Sequence, residues 1–491
     1  MTDHRMRIMG HVAERLRQHH LAPGKNQEAI SLALGHAYVD KEGAMTVVLA
    51  DPDAVFLFAE DCYEARGRGY AILSREVRAG VYWEAIRRGY TAVVDVHDHH
   101  FADQAVFSAV DDTDDERTGH FFREQVPQHL GPGAHLYAAA LLLARRDWAA
   151  RIVWAGGLSP RAAPMRIDEV GLADRQLSRA AALRPQDLYS RQQGVLKPPV
   201  QARLQRLHAV VVGCGGTGSI MAETLGRQGF GRLTLIDADL LEPSNLNRFQ
   251  GGEPRDIGRP KAGIVATRLR AMMPSLSIEA VEQQSFSPAA AAALETADVM
   301  VGCVDNAETR WWLNRFAVQY MVPWFDCGVL IETAPALVMH TRVHAIVPGA
   351  GPCGHCTPME FFPRQRPHLF LDRTTLAAQR AAGYIVDTEP GLNDAAIYPL
   401  NQQAVSWLVQ ELMAWLTGAR PLAHTVTHRS DSATIERISL ERLGGGGGED
   451  CPLCGYLLGR CRSEPLAQVQ DALRPPLNIN PEEPNHGTTQ A

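Results

Sequence analysis

The stretch from Leu207 to Lys261 constrains this chain more than any other. The run Ala209-Val210-Val211-Val212 has no polar alternation, the pattern of a strand buried in a parallel sheet. The turn Gly213-Cys214-Gly215-Gly216-Thr217-Gly218-Ser219 follows at once. A helical pattern (Ile220, Ala222, Leu225) comes next, then a second strand, Leu233-Thr234-Leu235-Ile236, ending on Asp237. Strand, glycine turn, helix, strand and acid form the first half of a Rossmann-like α/β unit. Gly213, Gly215, Gly216 and Gly218 let the backbone turn tightly and approach phosphates at a helix N-terminus. Asp237 is placed to hydrogen-bond ribose hydroxyls.

This fingerprint by itself fits NAD, FAD or ATP. An NAD- or FAD-dependent oxidoreductase is therefore the alternative reading. The following residues favour a triphosphate. Asp239 lies just beyond Asp237, then Ser244-Asn245-Leu246-Asn247-Arg248 and Gly258-Arg259-Pro260-Lys261 add amides and cations. A guanidinium fork and a lysine point charge can hold phosphates during attack at phosphorus.

From about Leu188 to Cys454 the chain resembles the ThiF/MoeB-type activating enzymes of ubiquitin-like proteins. The resemblance implies ATP- and Mg2+-dependent adenylation of the C-terminal glycine of a ubiquitin-like or sulfur-carrier protein ending in Gly-Gly. It implies that Asp237 binds ribose and that Asn245, Arg248 and Lys261 bind phosphates. Asp305, in Cys303-Val304-Asp305-Asn306, would hold magnesium. Tyr189-Ser190-Arg191-Gln192 resembles a family motif whose arginine, here Arg191, reaches the neighbouring subunit's site, so a homodimer is expected.

Composition agrees with an ordinary globular chain, at 45% hydrophobic and 21% charged residues. A net charge of −7 carries no direct nucleic-acid signal. No apolar run is long enough to span a membrane, and Met1-Thr2-Asp3-His4-Arg5 lacks a signal-peptide core. Nine cysteines, four of them in two C-x-x-C pairs, point to a reducing cytoplasm and a metal. Those pairs, Cys353/Cys356 and Cys451/Cys454, predict one structural four-thiolate Zn2+ site. Cys461, between Arg460 and Arg462, is the thiol best placed to act as a transfer cysteine, since 357–400 contain none.

Residues 1–160 predict an α+β domain with strands over 29–35, 45–50 and 91–96 and a helix over 75–88. His97 and His99 stand at i and i+2 on a strand end and project to one side. Asp111 can return from a helix start to complete a two-imidazole, one-carboxylate set with an open position, a catalytic zinc arrangement. The pattern resembles the JAMM (JAB/MPN-plus) metallopeptidase motif. By that resemblance His97, His99 and Asp111 bind zinc, Glu28 is the general acid/base, and Ser108 donates to the oxyanion. His100 stands where the motif has proline, and one extra residue precedes Ser108. A shifted set with Asp98 and His100 as ligands is the less favoured arrangement, and separately a non-catalytic MPN binding module is an alternative function for this domain.

The glycines and prolines of 156–164 predict a domain joint. A charged helix is expected over 167–183, within a linker at 161–187. The adenylating domain is expected over 188–465. Gly444 to Gly448 form a flexible run, and 466–491 a disordered tail.

Overall fold

The computed structural model describes residues 3–129, 135–155, 163–171, 175–176, 189–332, 336–357, 396–432, 435–439, 451 and 453–461. The expected glycine run and the 466–491 tail lie outside these residues, as do 358–395.

Two sheets carry the fold. In the first, Ile30–Val39 lies between Met45–Leu49 and Ala92–Asp98, and the sheet continues through Tyr137–Leu143 and Trp148–Trp154. Pro164–Val170 then pairs with both Trp148–Trp154 and the first strand, Arg5–Met9, so the sheet closes on itself. The expected helix from Ile167 is thus a strand, and this part of the expected linker belongs to the first sheet. The reason is visible in its period: Met165 and Ile167 are buried in the closed core, while Arg166 and Asp168 alternate with them.

The second sheet has five parallel strands in the order Ser277–Val281, Arg232–Ile236, His208–Val212, Val299–Gly302, Trp324–Glu332. Three antiparallel strands extend it: Val338–Ile346, Ala423–Arg429 and Ile435–Ser439. Strand order reverses around His208–Val212, which puts a crevice at its C-terminal end, where such sheets bind ligands. The helices Gly216–Gln228 and Tyr398–Thr417 pack against each other beside it.

The two halves dock through buried polar contacts at the other end of these parallel strands. Arg7 donates to the carbonyls of Tyr320 (2.9 Å) and Ala297 (2.5 Å), and Tyr38 to that of Glu295 (2.6 Å). Asp298 accepts from Arg5 (3.0 Å), from Arg166 and from the His208 amide (2.8 Å). Burial opposes its charge, but the neighbouring guanidiniums prevail and hold Asp298 well below the usual carboxylate range. Asp298→Ala should remove the buried carboxylate shared by Arg5, Arg166 and the His208 amide, leaving Arg5 only the carboxylate of Asp3 and Arg166 chiefly that of Asp168, and cost about 3 kcal/mol, read from urea denaturation of the full chain. A depressed carboxylate stabilises above its unfolded pKa. The wild-type advantage over the variant should therefore be full near neutrality, begin to shrink once the pH falls below the ordinary carboxylate range, and be lost only as it passes the lower folded value.

Candidate functional site

The glycine turn is shaped by close approach. Gly213 has φ +88°, and a Cβ there would lie 2.7 Å from the Cys303 carbonyl. A Cβ at Gly218 would strike the carbonyl of Gly213, and one at Gly216 would press on Arg248 and Asn401. These positions therefore need glycine. Gly215 precedes the helix that starts at Gly216 and leaves its first amides at the crevice.

The structure gathers the predicted residues around that turn. Asp237 accepts from the amides of Cys214 (2.6 Å) and Asp239 (2.8 Å), so its carboxylate is fixed at the strand end. Burial raises its pKa. Lys261, at the start of its helix, pairs with Asp239 at 3.1 Å. Arg248 lies with its stem over Gly216, and its guanidinium donates to the Ser244 carbonyl (2.8 Å). Asn245 caps the short turn before it by accepting from the Glu242 amide (3.2 Å). Asp305 is exposed, two residues past Cys303, whose carbonyl abuts Gly213. Arg191 is exposed at the start of this half. A cavity of about 460 Å³ lies elsewhere, along Arg259, Thr267, Arg270 and the edge strand carrying Glu279.

Sequence reasoning missed the cover of the turn. Asn401 is buried with its amide beside Gly216, and Tyr398 donates to Gln250, whose own amide donates to Ser219 (3.0 Å). Both helix residues come from Tyr398–Thr417, far along the chain, and no local motif marks them.

In the first half, His97 and His99 do share one side of the Ala92–Asp98 strand end, and Asp111 returns in the first turn of the helix Ala109–Glu124. One ligand atom from each lies within 4.8 Å of the other two. His97 Nε2 is 3.1 Å from Asp111, and His99 Nε2 is 3.8 Å from both Asp111 and Glu28. Glu28 Oε1 and His97 Nε2 are buried with no well-aligned hydrogen-bond partner, as groups facing a shared ligand would be. Burial pushes Glu28 up to about 7. Burial opposes charge on His97, but Asp111, Asp95 and Glu28 together raise its pKa. The Ser108 hydroxyl caps the helix, accepting from the Asp111 amide (3.3 Å), while the Asp111 carboxylate accepts from the Ser108 amide (2.5 Å). The shifted set is not gathered as a cluster of ligand atoms. Asp98 points into the interior, and His100 is turned onto it at 2.8 Å.

The four cysteines of the two C-x-x-C turns converge, with all four sulfurs within 4.8 Å of one another. The sulfur separations of 3.3, 3.8 and 3.9 Å lie near the roughly 3.8 Å edge of a tetrahedron with zinc–sulfur bonds of about 2.3 Å. They are far too long for disulfides. Asn314 fixes the first turn by accepting from the Gly354 amide (2.8 Å).

A match to the ThiF family spans residues 189–442, more than half of the chain. The chain belongs to the ThiF family. It is 29% identical over 262 residues to the "Sulfur carrier protein adenylyltransferase" of Thermus thermophilus, covering 52% of this chain and 86% of that one. It is 31% identical over 172 residues to the "Sulfur carrier protein ThiS adenylyltransferase" of Bacillus subtilis, covering 34% of this chain and 49%, about half, of that relative. Among solved structures, E. coli MccB matches with 20% identity and a TM-score of 0.43, over 55% of this chain and 75% of that one. The ThiF match contains the whole glycine crevice and begins after the closed N-terminal sheet.

Just beyond the ThiF match, Cys461 departs from expectation. It is fully buried, its backbone carbonyl accepts from Gln319, and its thiol lies 3.4 Å from the Gly459 carbonyl. Gly459 packs against Ala50 of the first half, so this segment is interior.

Proposed function

We propose that the ThiF half adenylates the C-terminal glycine of a ubiquitin-like or sulfur-carrier protein with ATP. The observation that carries this is the gathering of Asp237, Lys261 and Arg248 on one glycine turn, with Asp305 at the following strand end. The Thermus and Bacillus relatives, whose names specify sulfur-carrier adenylation, support it. The helix amides beginning at Gly216 would face the phosphates, Asp237 the ribose, and Asn245, Arg248 and Lys261 the phosphate oxygens. Asp305 would hold magnesium, which neutralises phosphate charge when bound. A glycine carboxylate oxygen forms the new bond to the α-phosphorus. The α–β bridging bond breaks and pyrophosphate leaves. The test is ATP–pyrophosphate exchange that requires a Gly-Gly-ended protein. Hydride transfer to NAD or FAD without exchange would instead support the oxidoreductase alternative. The same reading makes the chain a homodimer, with Arg191 of each copy reaching the other's nucleotide site.

The N-terminal half, from the first strand through at least Val170, is read as a JAMM-like metallopeptidase that cuts a tail or conjugate after that glycine. His97, His99 and Asp111 would hold Zn2+, which acidifies water and polarises the scissile carbonyl. Glu28 would take the proton from water and return it to the leaving amine. Ser108 would donate to the developing oxyanion. Both activities act on one terminus, since the cut creates the carboxylate that adenylation consumes.

Cys353, Cys356, Cys451 and Cys454 would hold a second, structural zinc with no open position. Cys353→Ser should remove one zinc per chain and cost about 4 kcal/mol or more, because metal binding and folding are coupled. Metal analysis with urea denaturation checks both. Unchanged zinc content and midpoint would refute the site.

A further inference from the structure

Behind the His97/His99/Asp111 cluster, and not part of it, lies a buried carboxylate with four donors. Asp98 is fully buried, between the two histidines in sequence but facing the interior. Its Oδ2 accepts from His20 Nδ1 (2.8 Å), Lys25 Nζ (2.5 Å) and the Ala29 amide (3.0 Å). Its Oδ1 is 2.8 Å from His100 Nδ1. His20 is also fully buried and meets Ser31 through its other ring nitrogen at 2.7 Å.

Two of these contacts, to Ala29 and His100, reach segments that bear the site. Ala29 directly follows Glu28, whose amide donates to the Gly67 carbonyl (2.8 Å) and whose carbonyl accepts from Arg66. His100 directly follows His99. A single carboxylate thus ties the Glu28 segment to both ends of the histidine pair. Buried charge clusters of this kind are poor devices for stability, because desolvation offsets their attraction and apolar replacements do as well. Their use is to fix geometry, as the outer partners of metal ligands do.

We propose that Asp98 is the positioning residue of the N-terminal site: it clamps the Glu28 segment onto the strand end carrying His97 and His99, with His100 as its partner in the loop. Where a proline would stiffen that loop through its ring, His100 does so through its bond to Asp98. The inference rests on the reading of His97, His99 and Asp111 as zinc ligands.

The test is zinc extraction from the full chain by a chromophoric chelator, which resolves the N-terminal zinc from the four-thiolate zinc as two phases. Asp98→Asn keeps the shape but loses the charge and one acceptor. It should speed release of the N-terminal zinc at least about 10-fold, with the four-thiolate phase unchanged as an internal control on the fold. His100→Ala, which leaves the buried His20 and Lys25 contacts intact, should speed the same phase. His100→Gln, which can still donate to Asp98, should restore it. Those two variants decide the matter if Asp98→Asn fails to fold. Wild-type protein with two zincs and unaltered release in the folded variants would overturn the positioning role alone. Wild-type protein holding only the four-thiolate zinc would overturn the metal site and the positioning role together.

Discussion

Asp305→Ala should abolish ATP–pyrophosphate exchange, with a loss of at least about 100-fold. Removing one preorganised electrostatic contact to a reacting group already costs that much, and this change also removes the residue that would hold the magnesium. The loss should come without unfolding. Asp305 is exposed, and the adjacent helix keeps its own cap, with Asn306 accepting from the Thr309 amide at 2.8 Å. The strand end beneath it is also held separately, by Arg310 bonded to Asp326 (2.9 Å) and to the Val304 carbonyl. Exchange at the wild-type rate in folded Asp305→Ala protein would remove this residue from the site. Lys261→Ala should lose exchange as well, because its side chain, 12% exposed, holds a cation on Asp239 at the start of its helix beside the crevice.

The second large effect concerns the other half. Glu28→Gln should retain the N-terminal zinc and slow tail cleavage by about 100- to 10,000-fold, the usual contribution of a general base. The amide has nearly the shape of the carboxylate but cannot take a proton from water. Adenylation of a protein already ending in Gly-Gly should be unchanged. The geometry explains this independence. Tyr38, at the docking interface, is eight residues along its strand from Ile30, the partner of His97, a span of about 26 Å. On the other side, His208 is at the interface and Gly213 at the crevice, five residues or about 17 Å away. The two sites therefore lie on opposite sides of a packed, hydrogen-bonded junction. Cleavage that survives in Glu28→Gln protein, or lost exchange on the pre-cut substrate, would contradict this arrangement.

Much of the architecture was legible because it is written locally. The run Ala209 to Val212 is buried throughout, the helix starts at Gly216, and Asp237 ends its strand, as the glycine fingerprint demands. The strand carrying His97 alternates by two, which puts His97 and His99 on one side whatever surrounds them. Each C-x-x-C turn likewise prepares a pair of thiolates over three residues.

What the sequence alone did not determine depends on segments meeting across long separations. Met165 and Ile167 carried a period-two signal, but only the pairing of their strand with Arg5–Met9 shows that it closes a sheet rather than continuing as a helix. Cys461 looked activated beside two arginines, yet packing against the first half buries it. Asn401 and Tyr398 reach the glycine turn only because their helix lies along the one that starts there. The choice of His97 and His99 over the shifted pair was likewise tertiary. Asp98 gains four donors inside the fold, and a carboxylate so held is no longer available as a ligand. Local periodicity and turn chemistry act over a few residues, so a linear reading recovers them. Which buried side chain meets which partner is set by the packing of whole elements, and that exists only in the folded molecule.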